Sequence, residues 1–171
     1  MKGPFKSGGD NLTEETFISA VTRNKQRLFL IALSFTRNPA DAEDILQNVF
    51  LKLWKEKYNF EDANHMDKWL TVVCVNESKN ILKSILRRKT NFIINEDSLY
   101  SFDTASDYDL FKAVMLLPKS ERTVTHLFYY EDLPTKEIAN LLGISESAVK
   151  TRLTRARQHL KESLGDDWIN E

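Results

Sequence analysis

Apolar positions along this chain recur at three- and four-residue steps, the period of helices that each bury one face. A first helix is expected from about Glu14 to Thr36, carrying Phe17, Val21, Leu28, Ile31, Ala32 and Phe35. Asn38 then reads as an N-cap with Pro39 at the first helical position. A second helix follows, with Ala42, Ile45, Leu46, Val49, Phe50, Leu53 and Trp54 as its stripe. Asp41, Glu43 and Asp44 fall in its first turn, where the helix dipole favours acids. Residues 56–63 are polar and irregular. A third helix spans about His65 to Arg88, with Trp69, Leu70, Val73, Ile81, Leu82, Ile85 and Leu86 on one side. Three such stripes can close on one another as a small bundle.

Periodicity fails from Thr90 to Ser106, where short polar and acidic residues surround a few apolar ones. It resumes at Tyr108–Leu117, breaks at Pro118 and continues from Glu121 to Tyr130. No segment reads better as a strand. The expected fold is all-α: two small helical domains joined by a flexible linker, the C-terminal one containing a helix-turn-helix. The expected boundaries are a disordered N-terminus at 1–12, a first domain at 13–90, an acidic linker at 91–107 and a second domain at 108–171.

The helix-turn-helix lies between about Thr135 and Leu160. Ala139 is small where two helices would cross, and Gly143 supplies the left-handed conformation that ends the first helix. Ile144 plugs the turn and Ser145 caps the second helix. Ile138, Leu142, Ile144, Val149 and Leu153 form the core between them. In the second helix Val149, Leu153, Ala156 and Leu160 face inward. Ser147, Lys150, Thr151 and Thr154 share another face near the N-terminal end, where major-groove readers place base contacts. Arg152, Arg155 and Arg157 flank that face and suit phosphates, with solvated surface charge as the alternative.

The net charge is −1, which alone argues against a nucleic-acid partner. The distribution reverses that inference. Lys79, Lys83, Arg87, Arg88 and Lys89 form a basic run without an acid, and Lys150, Arg152, Arg155, Arg157 and Lys161 form another. From Asn91 to Asp109 lie Glu96, Asp97, Asp103, Asp107 and Asp109 with no base. Two nucleic-acid surfaces separated by an acidic connector fit this pattern. Apolar content of 42% supports real cores. The single cysteine, Cys74, excludes an intrachain disulfide and points to a reducing, cytoplasmic setting. No apolar run approaches ~18 residues, and the first ten residues lack the core of a signal peptide. Three dispersed histidines and no glycine-rich phosphate loop leave no catalytic constellation, so no cofactor, no metal and no enzymatic activity are expected. Asp41 and Asp44 have no companion acid or histidine to complete a metal site.

With both halves laid out, the chain resembles the extracytoplasmic-function (ECF) class of the sigma-70 family of bacterial sigma factors. The C-terminal match runs from Leu117-Pro118 through Tyr129-Tyr130-Glu131-Asp132-Leu133-Pro134 and Thr135 to Ala139, then Leu142 to Ser145 and Val149 to Arg157. It is similar to the family's domain 4. Asn38-Pro39-Ala40-Asp41-Ala42-Glu43-Asp44-Ile45-Leu46-Gln47-Asn48-Val49-Phe50, with Trp54 behind it, is similar to domain 2. The likeness covers about residues 15–165, and nothing matches the additional domains of housekeeping sigma factors.

That resemblance implies a dissociable subunit that binds core RNA polymerase and directs it to the promoters of a stress or envelope-response regulon. The Asp-Ala-Glu-Asp helix would dock on the β′ clamp helices through Asp41, Asp44, Gln47, Asn48 and Leu51. Domain 4 would meet the β flap and read the −35 element through Ser147, Lys150, Thr151, Arg152, Thr154, Arg155 and Arg157. The third helix would read and melt the −10 element through Asn76, Lys79, Asn80, Lys83 and Arg87. Single-strand capture needs such a basic groove with polar partners for bases. Many relatives carry an acid where Asn80 is neutral. Trp69 reads as core more than as a stacking platform. The acidic linker would thread the polymerase channel that later holds RNA, although its composition also suits a solvated spacer. An anti-sigma factor is the further partner implied. A stand-alone helix-turn-helix regulator that dimerises on palindromes is the competing reading; a helical metal-dependent hydrolase lacks ligands.

Overall fold

The computed structural model describes residues 12–55, 60–85 and 105–165. The proposed N-terminal lead-in (except Leu12), Arg87 and the linker up to residue 104 therefore lie outside the described residues. Seven helices and no strands make up the described part. The chain divides into two compact units, residues 1–92 and 93–171.

The first unit holds α1 (Glu14–Thr36), α2 (Pro39–Lys55) and α3 (Ala63–Ile85), each packed against the other two. Local chemistry sets their ends. Thr13 caps α1 by accepting from the Thr16 N–H at 3.2 Å, with Glu14 and Glu15 in the first turn. Arg37 adopts left-handed backbone (φ 54°) to end α1, and its N–H donates to the Leu33 carbonyl. Asn38 caps α2 as its sequence implies, its Oδ1 accepting from the Ala40 N–H at 2.9 Å. Asp62 caps α3 through the His65 N–H at 2.7 Å. The stripes of α1 and α2 supply much of the core as expected, with Leu28, Ile31, Ala32, Ala42, Ile45, Val49 and Leu53 fully buried. On α3 the buried side is turned from the expected one: Leu70 and Leu82 are buried, but Val73 and Ile81 are half-buried while Met66, Cys74 and Val75 are fully buried. Truncating a leucine such as Leu28 to alanine in this core costs about 2–5 kcal/mol.

Trp54 departs from its expected place in the stripe. It is half exposed, with the edge of Phe17 against its ring at 5.0 Å between centroids. The stripe drifts because 3.6 residues per turn carry a residue one position past Leu53 off the buried face.

A polar network fastens α1 to α3. Asn24, 1% exposed, donates to the Asp67 carboxylate (2.7 Å) and to the Ala20 carbonyl (3.0 Å). Its own Oδ1 accepts from the Arg27 guanidinium at 2.8 Å. Arg23 clamps both Asp67 oxygens at 3.0 and 2.7 Å, and Arg27 reaches the Thr71 hydroxyl at 2.8 Å and the Asp67 carbonyl at 3.1 Å. Charge-assisted bonds of this kind are the stronger ones.

The second unit holds α4 (Ala105–Leu116), α5 (Lys119–Tyr129), α6 (Thr135–Leu142) and α7 (Glu146–Leu164). Helix α4 begins three residues before the expected Tyr108. Ala105, Ser106 and Asp107 carry no apolar period and so left no trace in the hydrophobic pattern. Pro118 separates α4 from α5, and Arg122, buried in α5, donates to the Leu117 carbonyl at 2.9 Å, satisfying an orphan acceptor at the end of α4. Val114, Leu117 and Ala156 form a cluster with Leu110 and Leu160 against it, which seats α7 on α4. Glu121 Oε2 and His159 Nδ1, 2.7 Å apart, join α5 to α7.

Candidate nucleic-acid interface

Helices α6 and α7 meet in the expected helix-turn-helix. Gly143 has φ 69° and ψ 39°, and its N–H returns to the Ala139 and Asn140 carbonyls. Ser145 caps α7, accepting from the Ala148 N–H at 3.1 Å. Ile138, Ala139, Val149, Leu153 and Ala156 are buried, and Leu142, Ile144 and Leu160 are partly so.

Ser147, Lys150, Thr151, Thr154, Arg155 and Arg157 are exposed on α7, and Arg152 is half-buried. The face is pre-ordered by short local bonds. The Thr151 and Thr154 hydroxyls donate to the Ser147 and Lys150 carbonyls at 2.9 and 3.0 Å, leaving their oxygens as acceptors. Lys150 Nζ lies 2.9 Å from Glu146 Oε1, and the Thr135 hydroxyl donates to the same oxygen at 2.8 Å. The hydrogen bonds from Lys150 and Thr135 hold the Glu146 carboxyl below its ordinary value. Arg157 is committed within the unit: its Nε donates to the Tyr129 hydroxyl at 2.8 Å, and the guanidinium lies 5.9 Å from that ring's centroid. Sequence spacing gave no sign of this partner, 28 residues away.

On α3, Asn76, Asn80 and Lys83 are exposed and Lys79 is half-buried, so the described members share one face. Val72, 44% exposed, continues that face one turn earlier and escaped the sequence reading, which ranked it neither as core nor as site. Glu77 beside them accepts from Lys52 Nζ of α2 at 2.6 Å. Trp69 is half-buried, its ring edge-on to the buried Phe60 at 5.5 Å, which makes it a support for the segment entering α3. On α2, Asp44, Gln47, Asn48 and Leu51 are exposed and Asp41 is half-buried, on the side opposite the core. Leu51 is 53% exposed, an apolar residue turned to solvent among polar neighbours.

Among the described residues no group of three His, Cys, Asp or Glu side chains could hold a metal ion, and no helix is long and apolar enough to cross a membrane.

A three-helix unit followed by a helix-turn-helix unit, each with a polar face on a buried core, has direct counterparts among known proteins. Residues 20–89 match the model of Sigma-70 region 2, and residues 109–160 match that of Sigma-70 region 4. The chain belongs to the sigma-70 family and is an RNA polymerase sigma factor, a transcription initiation factor. Within that family it is an ECF sigma factor. It is 27% identical over 158 residues to the RNA polymerase sigma factor SigV of Bacillus subtilis, covering 89% of this chain and 93% of the relative. It is 23% identical to the ECF RNA polymerase sigma factor SigW of the same organism, covering 90% and 91%. The fold is similar to that of the sigma factor RpoE from Bartonella quintana, solved with the anti-sigma factor NepR, at a TM-score of 0.69 and 21% identity over 92% of this chain and 99% of that one. It is also similar to CnrH, solved with the cytosolic domain of CnrY, at a TM-score of 0.55 and 25% identity over 89% of each.

Proposed function

We propose that this sigma factor reads the −35 element with α7 and the −10 element with α3, while α2 docks on the β′ clamp helices of core polymerase. The observation that carries this reading is the segregation of exposed faces. On α7 the short polar residues Ser147, Thr151 and Thr154 surround Lys150 at the N-terminal half, the end that major-groove readers insert. Arg152 and Arg155 flank it as phosphate partners, with Arg157 steered by Tyr129. On α3, Asn76 and Asn80 offer amides to base edges while Lys79 and Lys83 neutralise phosphates, and Arg87 continues the series in sequence. On α2, Asp41, Asp44, Gln47, Asn48 and Leu51 combine charge, amides and one apolar anchor, the mixture found at protein interfaces. Domain 4 would also contact the β flap.

The protein acts in the cytoplasm and serves a stress or envelope-response regulon, as its class does. An anti-sigma factor, as NepR is for RpoE, would hold it inactive between signals. Run-off transcription with the full chain and purified core polymerase over a promoter library is the direct test. Enrichment of a two-part motif is expected, with loss of output on changing either part. Enrichment of a symmetric palindrome, or no stimulation of core, overturns the reading.

A further inference from the structure

We propose that Glu146 sets the sequence discrimination of α7, by holding the Lys150 ammonium away from the phosphate backbone and presenting it to base edges. The proposal rests on the reading that α7 enters promoter DNA.

The first turn of a recognition helix is a natural phosphate seat, because its unpaired N–H groups and dipole favour an anion. Here that turn carries a carboxylate. Lysine is a flexible point charge that meets any phosphate within reach. Lys150 is instead paired with Glu146 at 2.9 Å while remaining 64% exposed. Such a pair within one helix contributes little to stability. Glu146, however, is also held from outside its helix, by the Thr135 hydroxyl at the start of α6. The carboxylate is thus pinned between the two helices of the motif, and it fixes where the ammonium sits.

Two consequences follow from the charges. A lysine already neutralised by a carboxylate gains less from a phosphate and releases fewer counterions on binding DNA. Its ammonium has three N–H donors, and Glu146 uses one, so donors remain for acceptors such as guanine O6 and N7. Glu146 therefore lowers affinity for any duplex while leaving the base-reading capacity of Lys150 intact.

The test uses the full chain reconstituted with core polymerase. Binding is measured over a salt series to a promoter recovered from the library and to the same fragment with its −35 element randomised. Freed lysine adds roughly one phosphate contact, worth about fivefold in affinity near 0.15 M salt and about one in the salt slope. Glu146→Ala is accordingly expected to bind the randomised fragment about fivefold more tightly, with a steeper salt slope and a promoter preference reduced to match. Thr135→Val, which leaves the Glu146–Lys150 pair in place, should shift the preference in the same direction by less. In a Lys150→Ala background, Glu146→Ala should leave the preference unchanged. An unaltered preference in Glu146→Ala, or the same loss without Lys150, overturns the proposal while leaving the placement of α7 standing. If randomising the −35 element does not weaken the wild-type complex, the placement of α7 itself fails, and this proposal with it.

Discussion

Asp67 joins two helices through a single carboxylate, and its environment sets two opposing influences on it. Burial pushes the Asp67 carboxyl up. Hydrogen bonds from Arg23 and Asn24, with the charges of Arg23 and Arg27, outweigh burial and hold it below its ordinary value. A depressed folded-state pKa means that the stabilisation is present above the unfolded value of about 4 and is lost as pH falls through the folded one. Asp67→Asn should therefore cost about 1 kcal/mol at neutral pH, after discounting for solvent screening. Urea melts would show the two proteins converging as pH drops below about 4. A constant gap across that range would show that the charge is not what matters. None of this was visible in the sequence. Arg23 and Asn24 lie 44 and 43 residues from Asp67, and hydrophobic periodicity carries no information on polar partners at that separation. The Arg157–Tyr129 contact was hidden for the same reason. The Glu146–Lys150 pair, by contrast, has the four-residue spacing that any helix brings together, and could have been read from the chain.

At the scale of elements, the signals that placed the helices were local and strong. Thr13, Asn38 and Ser145 each cap the helix that follows, and Gly143 ends α6 in the left-handed conformation its sequence position called for. A Cβ at Gly143 would meet nothing within 4 Å, so substitution costs backbone strain alone. Gly143→Ala should destabilise the protein by about 1 kcal/mol, while Gly143→Asn, tolerated in that conformation, should cost less. Thermal melts followed by circular dichroism would separate the two; equal losses would indicate that the turn relaxes to another conformation. Where local signals are weak, the structure departs from the hydrophobic pattern. The start of α4 was missed because polar residues fill its first turn, and Trp54 was assigned to the core because apolar character alone cannot tell Leu53, fully buried, from its exposed neighbour.

For the whole molecule, charge placement matters more than total charge. With a net charge of −1, the free chain has little long-range attraction for DNA, and what it has comes from basic faces on two separate units. The free chain is expected to bind a promoter weakly, with polymerase supplying most of the affinity. In the holoenzyme, Arg155→Ala should weaken promoter and randomised DNA alike and reduce the salt slope by about one. A promoter-specific loss would instead make Arg155 a base reader. The order of two domains along the chain was legible because each carries a motif dense enough to recognise. The position of the acidic segment between them was legible as composition, and its course is a matter of sequence only.

The Lys52–Glu77 strut has a thermodynamic corollary. It connects the helix proposed to face polymerase with the helix proposed to face the melted promoter, 2.6 Å from ammonium to carboxylate. Lys52 is 54% exposed, so the pair carries at most about 1 kcal/mol of coupling between α2 and α3, and reciprocity governs whatever passes through it. Whatever factor polymerase adds to the affinity of α3 for single-stranded DNA, that DNA must add to the affinity of the subunit for polymerase. With α2 and α3 coupled in this way, the subunit is expected to hold polymerase more tightly on an opened promoter than on a closed one, by the same factor that polymerase adds to its hold on the open strand.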